Sequence, residues 1–305
     1  MMAGTATPLS YLQAVVIGLL QGVTELFPIS SLGHSILVPQ LLGWDSLVHG
    51  QSATESFYLT FLVGLHCATA VALIVFYRHD WAGVITGFFT TLRTRRIETP
   101  AQRMAWLLIL GTIPVGVVGL VFEHSLRAVF AKPLAAAIFL TINGLILILG
   151  ERLRRRSETR TLIASRQHHL DTGGDDARDL EGLELREGGL VGSSQILALF
   201  AGISRSGVTM VAGLLRGLDH EDAARFSFML ATPVILAAGL YKLPDLAGHM
   251  GDHIRGQVIV GSIAAGLAAY ASVRFLTKFF ETRTLTPFAI YSLIFGVTMI
   301  AYNVL

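Results

Sequence analysis

Six stretches of this sequence are apolar and about as long as the roughly 20 residues a helix needs to cross the hydrocarbon core of a bilayer. A water-soluble domain has about 25% charged residues, whereas this chain has 14% charged and 52% hydrophobic residues. The sequence therefore predicts an all-α polytopic membrane protein with a single membrane domain over residues 1–305. The predicted spans lie near 57–77, 104–122, 134–150, 225–243, 257–276 and 285–303.

The basic residues are distributed unevenly between the predicted connections. No Lys or Arg precedes Arg78, whereas the segments 78–103 and 151–190 are rich in Arg. Because connections rich in Lys and Arg stay in the cytoplasm, both segments are expected there. One cluster, Arg152 with Arg154 to Arg156, directly follows a predicted span. Such a position favours a topology signal or a lipid contact over nucleic-acid binding. This assignment places both chain termini on the outer side of the membrane.

Two further apolar segments, 9–43 and 191–217, are broken by polar residues, Pro and Gly. A predicted cytoplasmic loop over 151–190 separates two similar halves, 9–150 and 191–303. Each half has one broken segment followed by three full spans. Since three is odd, the second half must be inserted upside down, which defines an inverted-topology repeat. In such folds broken helices meet near the midplane and build the substrate site, so both segments are predicted to be re-entrant.

The first broken segment carries several reactive side chains at membrane depth. Gln21 and Glu25 are one helical turn apart and share a face. A carboxylate there is costly unless it is paired, metal-bound or hydrated, and usually marks a functional site. Pro28 ends the half-helix. After it come Ser30, Ser31 and His34; an imidazole in such a setting can act as nucleophile, base or acid.

The second broken segment supplies complementary groups. Its turn, Gly202 to Thr209, contains Arg205 among three hydroxyls, with flanking glycines that permit close backbone approach. A guanidinium pairs bidentately with phosphate oxygens, and the backbone N–H groups of a helix N-terminus also bind anions. An ion pair between Arg205 and Glu25 is the purely structural interpretation. Together the two segments predict a site for a phosphate or diphosphate on a lipid-compatible molecule. With a diphosphate, Glu25 could hold Mg²⁺ or another divalent cation such as Ca²⁺.

At these residues the sequence resembles the undecaprenyl-diphosphate phosphatase family of the bacitracin-resistance type. Gln21 and Glu25 match its first motif, and Pro28 to His34 match its Pro-x-Ser-Ser-x-Gly-His pattern. Residues 202–209 match Pro-Gly-x-Ser-Arg-Ser-x-x-Thr, except that the leading Pro is Ala201 here. The resemblance extends from about residue 9 to residue 303.

The resemblance implies a hydrolase that converts undecaprenyl diphosphate to the monophosphate carrier and inorganic phosphate, recycling the lipid for cell-wall peptidoglycan synthesis. It also implies a bacterial plasma membrane location, a divalent-metal requirement and a site open to the outer face. Glu25 would be the metal or acid–base carboxylate, and Ser31 with His34 the nucleophile and base. Gln21 would hold water, metal or phosphate, and Arg205 the diphosphate. The other implied substrate-binding residues are Ser30, Ser204, Ser206, Gly207 and Thr209.

Several alternatives stay open at this point. Ser31, His34 and an activated water all fit as nucleophile. A transporter or flippase for polyprenyl phosphate lipids could use the same midplane anion site without cleavage, because inverted repeats are typical of secondary transporters. The ionisable or polar residues His66 and Asn143 within spans are interpreted as helix–helix hydrogen-bond partners. Chain-length preference, metal identity and oligomeric state, including a homodimer, are not determined by the sequence.

Overall fold

The computed structural model describes residues 9–44, 46–47, 57–130, 132–167, 180–247 and 254–305. Within these ranges the chain is all-helical, with eleven α-helices and two short 3₁₀ helices, Leu180–Gly182 and Ser194–Leu199. The α-helices, in chain order, are α1 Tyr11–Thr24, α2 Ser31–Leu41, α3 Phe57–Phe76, α4 Arg78–Thr94, α5 Pro100–Phe130, α6 Pro133–Gln167, α7 Leu185–Ser193, α8 Arg205–Leu214, α9 His220–Ala247, α10 Arg255–Phe280 and α11 Thr286–Val304.

The prediction of six spans is confirmed: six helices in the described part of the chain are long and apolar enough to cross a membrane. They are α3, α5, α6, α9, α10 and α11, and their apolar portions coincide with the predicted stretches. Many of their large apolar side chains, such as Val117, Leu267 and Ile294, are exposed. In a bilayer these faces contact lipid, so the chain is a multi-pass membrane protein.

Two predicted connections contain more helix than expected. The proposed loop 123–133 is helical as far as Phe130, and the proposed loop 151–190 is helical from its start to Gln167. In α6 the reason is visible in the charge spacing: Arg154 and Arg155 reach Glu151, 3.8 and 3.4 Å away, from the following turn. Such i,i+3 and i,i+4 pairs stabilise helix beyond the apolar run. Of the rest of the predicted loop, residues 168–179 lie outside the described residues, and 180–190 contain the 3₁₀ helix Leu180–Gly182 and the start of α7.

Helix α4 was not predicted as an element. It starts directly after α3, packs against α5, and buries Val84, Gly87 and Thr91. The opposite face exposes Ile85 and Phe89. The Arg residues of this segment indicate its side of the membrane. They do not distinguish a loop from an amphipathic helix beside the spans.

Both broken segments divide into short helices joined by a tight turn. In the first, Pro28 cannot donate a backbone hydrogen bond, and the chain restarts at α2 with Ser30 as N-cap. In the second, α7 and the 3₁₀ helix Ser194–Leu199 lead into a turn where Gly202 has φ 114°, and Ser204 then caps α8. Only glycine adopts that φ without strain.

Helix α1 approaches α10 closely enough for backbones to touch. A Cβ added at Gly18 would collide with the carbonyl oxygen of Gly261, and one at Gly22 with the carbonyl oxygen of Ala265. Small residues at such a crossing let helices associate in lipid through van der Waals contact. This contact seats the broken segment that carries Glu25 against the second half of the chain.

The crossing yields a stability prediction. We expect Gly22→Ala to destabilise the protein by about 1–3 kcal/mol, the usual cost of overpacking a tight contact. Gly116 on α5 is the matched control, because a Cβ there meets nothing within 4 Å. Gly116→Ala should be neutral or stabilising by up to about 1 kcal/mol through helix propensity. Thermal unfolding in detergent measures both, and equal midpoints for the two variants would contradict a tight α1–α10 contact.

Candidate active site

The two broken segments meet at their turns. Ser30 Oγ accepts a hydrogen bond from Gly202 N at 3.1 Å, which joins the first turn to the second. Asn143 on α6 bonds to both turns: its Nδ2 donates to Pro28 O at 3.0 Å, and its Oδ1 accepts from Ser204 N at 2.9 Å. Each of these groups is buried, so the hydrogen bonds fix the two turns relative to each other.

Ser30 has an unusual backbone conformation, with φ 71°. Non-glycine residues rarely adopt positive φ, and such strain concentrates at functional sites. Its hydroxyl accepts from Gly33 N at 3.2 Å as well as from Gly202 N, so this one side chain caps α2 and bridges the turns. The neighbouring hydroxyl, Ser31, is left for another partner.

Glu25 is the centre of the polar cluster. Arg205 Nη2 donates to its Oε1 at 2.5 Å, which is the ion pair anticipated from the sequence. Oε2 accepts from Ser31 Oγ at 2.6 Å and from Gln21 Nε2 at 2.9 Å. His66 Nε2 lies 3.3 Å from the same oxygen. The fold thus brings together Gln21, Glu25, Ser31 and Arg205 as predicted, and adds His66.

Glu25, Ser31, His66 and Arg205 border a cavity of about 230 Å³, whereas Gln21 does not line it. Its polar lining is Glu25, Ser30, Ser31, His66, Gln195, Ser204 and Arg205. The other walls are mostly apolar and come from α3, α5, α9 and the 3₁₀ helix Ser194–Leu199. Arg205 Nη1 is buried and has no hydrogen-bond partner in the described chain. An unpaired guanidinium N–H beside a cavity is an available donor for an anionic group.

His34 lies apart from this cluster and does not line the cavity. Its Nδ1 is 2.7 Å from Ser30 O, and a carbonyl can only accept, so Nδ1 carries a hydrogen. Nε2 lies 2.8 Å from the hydroxyl of Tyr291, and the ring packs against the rings of Tyr291 and Phe295, which also pack on each other. Both ring nitrogens are therefore engaged, and no described hydrogen bond joins His34 to Ser31 or Glu25.

Three of the remaining predicted substrate-binding residues, Ser206, Gly207 and Thr209, do not line the cavity. Ser206 Oγ contacts Ser204 Oγ at 3.0 Å, and Thr209 Oγ1 donates to Arg205 O at 2.8 Å within α8. Gly207 N donates to Ser204 Oγ at 3.2 Å. Ser204 itself does line the cavity. As placed, the others order the turn that carries Arg205.

His66 and Asn143 show what the sequence interpretation understated. Both are hydrogen-bonded as predicted, but one contacts Glu25 and the other connects the two turns. The signal for His66 was available, since an ionisable residue within a span is a functional-site hypothesis by default. His66 Nδ1 is 2.7 Å from Leu62 O and must donate to it. Nε2 therefore donates to Glu25 only when the ring is protonated.

Oxygen ligands suitable for a hard cation occur at Glu25 and Gln21. Gln21 is buried, and its Oε1 has no hydrogen-bond partner in the described chain. Gln21 lies one helical turn before Glu25, so its Oε1 is close to the Glu25 carboxylate. No group of three or more His, Cys, Asp or Glu within the described ranges could hold a metal alone. The residues therefore fit Mg²⁺, which binds through one or two protein oxygens and takes its other ligands from phosphate and water.

Comparison with known proteins gives a consistent result. Residues 14–298 match the family model described as bacitracin resistance protein BacA. The chain is 59% identical to undecaprenyl-diphosphatase 2 of Frankia alni, with 94% of this chain and 96% of the relative covered. It is 57% identical to undecaprenyl-diphosphatase of Mycolicibacterium paratuberculosis, covering 94% and 95%. Identity to undecaprenyl-diphosphatase 2 of Chromobacterium violaceum is 39%, covering 96% and 98%.

Proposed function

The chain belongs to the bacitracin resistance protein BacA family, whose members above are undecaprenyl-diphosphatases, and we propose that it hydrolyses undecaprenyl diphosphate at the Glu25 cluster. One observation carries the placement of the reaction. The Ser31 hydroxyl and the Arg205 guanidinium, from different broken segments, both contact the Glu25 carboxylate at the edge of a largely apolar cavity. The products are undecaprenyl phosphate and inorganic phosphate.

The lining of the cavity suggests how the substrate binds. The diphosphate occupies the polar end, where Arg205 Nη1 and Ser204 supply donors. The prenyl chain follows the apolar walls, which include Leu62, Val115 and Ile235. On binding, Arg205 shares its donors between phosphate and Glu25, which releases part of the carboxylate for proton transfer.

Ser31 is the nucleophile in this proposal. Its hydroxyl already donates to Glu25 at 2.6 Å, within the reach required of a general base. Ser31 Oγ attacks the terminal phosphorus as its proton passes to Glu25, and the bond to the bridging oxygen breaks to release undecaprenyl phosphate. Glu25 gives this proton to the departing undecaprenyl phosphate. Water then attacks the phosphoserine, and one of its protons returns to Ser31 Oγ as inorganic phosphate leaves. Arg205 stabilises charge on the transferred phosphoryl oxygens.

Two histidines compete for the acid–base role, and their variants should separate them. We expect His66→Ala to lower kcat by about 10² or more, since it removes the imidazole whose Nε2 lies 3.3 Å from the Glu25 carboxylate. His34→Ala should keep kcat within about tenfold and instead lower the thermal midpoint, because it leaves Tyr291 and Ser30 without their buried partner. If His34→Ala lost about 10² in kcat with an unchanged midpoint, the His34 base implied by the family resemblance would be correct.

We also propose that Glu25 and Gln21 hold a divalent cation, with Mg²⁺ favoured over Ca²⁺. Bound there, the cation would neutralise charge on the substrate phosphates. The support is the unpartnered Oε1 of Gln21 next to the only carboxylate lining the cavity among the described residues. Gln21→Ala should therefore raise the Mg²⁺ concentration needed for half-maximal activity by about tenfold.

Phosphate release tests the function directly. Purified chain in detergent should release inorganic phosphate from a polyprenyl diphosphate when Mg²⁺ is present and should stop when a chelator is added. Adding excess Mg²⁺ back should restore the rate of phosphate release. Binding of the lipid without phosphate release, by protein that is folded and metal-replete, would instead favour the transporter alternative.

The inverted repeat and the re-entrant course of both broken segments belong to this proposal. Crosswise packing supports them: α1 packs on α10, and α7 packs on α5. The spans α3 and α9 pack on each other, as do α6 and α11. Such pairing is expected if a two-fold axis relates the halves. Gln21 and Gln195, equivalent in the two halves, are both buried and both have an unpartnered Oε1.

The proposed orientation follows from the basic segments. With residues 78–103 and the Arg cluster after Gly150 in the cytoplasm, both termini face outward. The site is proposed to open on the same side, as the family resemblance implies. Cys67 is the single cysteine, so a Cys67→Ser background allows single-cysteine labelling. On intact cells an impermeant maleimide should label Asn303→Cys and spare Arg156→Cys. The reverse pattern would invert the assignment.

A further inference from the structure

A second, larger cavity of about 640 Å³ shares no lining residue with the active-site cavity. It lies where the first turns of α4, α5 and α9 meet the 3₁₀ helix Leu180–Gly182. Its walls include both charged and apolar side chains. Nothing in the proposed hydrolysis uses it.

The charged groups in this cavity are nearly all satisfied by protein partners. Asp80 forms an ion pair with Arg225, and Asp222 Oδ2 accepts from Leu180 N at 2.7 Å. Arg103 is partly buried in the same wall, and no residue of the described chain pairs with its guanidinium. A partly desolvated guanidinium without a partner favours an anionic group in the cavity.

An apolar groove of about 380 Å³ continues from the cavity along the same three helices. Val84 lines both spaces. On α5 the lining passes from Met104 to Leu108, and on α9 from Met229 to Pro233, which is one helical turn in each case. The mixed polar cavity and the apolar groove therefore adjoin each other.

The groove contains one further polar signal. Trp81 lines it next to Phe88 and Phe89, and the indole Nε1 is buried with no partner in the described chain. A buried indole N–H normally finds an acceptor. Together the cavity and the groove thus offer a cation at Arg103, a neutral donor at Trp81 and apolar walls.

We propose that this composite site binds a membrane glycerophospholipid. Its phosphate contacts Arg103, an ester carbonyl accepts from Trp81 Nε1, and an acyl chain lies in the groove between α4 and α5. A singly charged phosphodiester suits the cavity better than the diphosphate substrate, because Asp80 and Asp222 in the same walls repel further negative charge. The ester carbonyl also distinguishes a glycerophospholipid from a prenyl phosphate, which has none.

Trp81 serves as its own reporter in the test. The chain has three tryptophans, so Trp44→Phe with Trp106→Phe leaves Trp81 alone. Purified protein in detergent is titrated with phosphatidylglycerol brominated on its acyl chains, and the quenching of Trp81 fluorescence is followed. We expect saturable quenching that unbrominated phosphatidylglycerol reverses. The apparent Kd should be at least tenfold higher in Arg103→Gln. It should rise by a similar factor in Thr112→Phe, which narrows the groove.

Controls identify the ligand class. Arg93→Gln removes an exposed charge from α4 that does not line the cavity, and should bind like the parent. Arg103→Gln should retain phosphate release from polyprenyl diphosphate, which shows that it is folded. Competition by inorganic phosphate alone, equal quenching by a brominated diacylglycerol, or an unchanged Kd in Arg103→Gln would each overturn the proposal.

Discussion

Alanine at position 31 is expected to lower kcat for undecaprenyl diphosphate by at least about 10³, because removing a nucleophile leaves only binding and electrostatic stabilisation. The Ser31 hydroxyl lies 2.6 Å from Glu25 Oε2 and lines the cavity, which is the geometry of a nucleophile next to its base. Substrate binding should change little. Steady-state phosphate release with purified, Mg²⁺-replete protein gives kcat and KM separately.

Ser35 is the matched control for that experiment. It lies on the same helix, is buried, and donates to Leu32 O at 2.9 Å without lining the cavity. Ser35→Ala should keep kcat within a few-fold. A second readout tests covalency: substrate labelled on its terminal phosphate should leave label on acid-quenched parent protein and none on Ser31→Ala. Retention of more than a tenth of the parental kcat by Ser31→Ala would favour direct attack by water.

Removal of Arg205 is the second large effect. We expect Arg205→Ala to reduce kcat/KM by about 10³, within the range found for arginines that stabilise phosphoryl transfer. Arg205→Lys should recover only part of it, because an ammonium cannot hold Glu25 and a phosphate oxygen with a planar fork. The control variant is Arg216→Ala, which removes one exposed positive charge beyond the end of α8.

The same substitution also breaks a buried ion pair, so stability and catalysis must be separated. Arg205→Ala leaves the Glu25 carboxylate without its cation, which is expected to destabilise the protein by about 3–5 kcal/mol. Combining it with Glu25→Gln removes the uncompensated charge and should restore much of the thermal midpoint. Turnover should stay low in the double variant. Recovery of turnover together with stability would mean that neither Arg205 nor Glu25 takes a direct part in catalysis.

The local sequence predicted the spans and the breaks well because both depend on short-range chemistry. Apolar runs of sufficient length become spanning helices wherever they lie, and Pro28 with Ser30 interrupts one regardless of its neighbours. Helix α4 and the extension of α6 to Gln167 were not predicted. Their stability depends on packing against α5 and on charge pairs, which a window of hydrophobicity does not register.

Site composition was predictable in part for the same reason. Gln21, Glu25 and Ser31 lie within about three helical turns, so their proximity follows from the chain itself. The pairing of Glu25 with Arg205 could be anticipated only as the cheapest way to keep two opposite charges at membrane depth.

The arrangement of the histidines was decided by the tertiary structure alone. In sequence His34 is three residues from Ser31, yet the turn of α2 directs its ring to Tyr291, 257 positions away in the chain. His66, 35 residues beyond Ser31 and inside a span, faces Glu25 because α3 packs against the helices that carry the site. Sequence spacing therefore determines which groups a helix turn presents together. Which groups meet across the site depends on long-range helix packing, which no local pattern encodes.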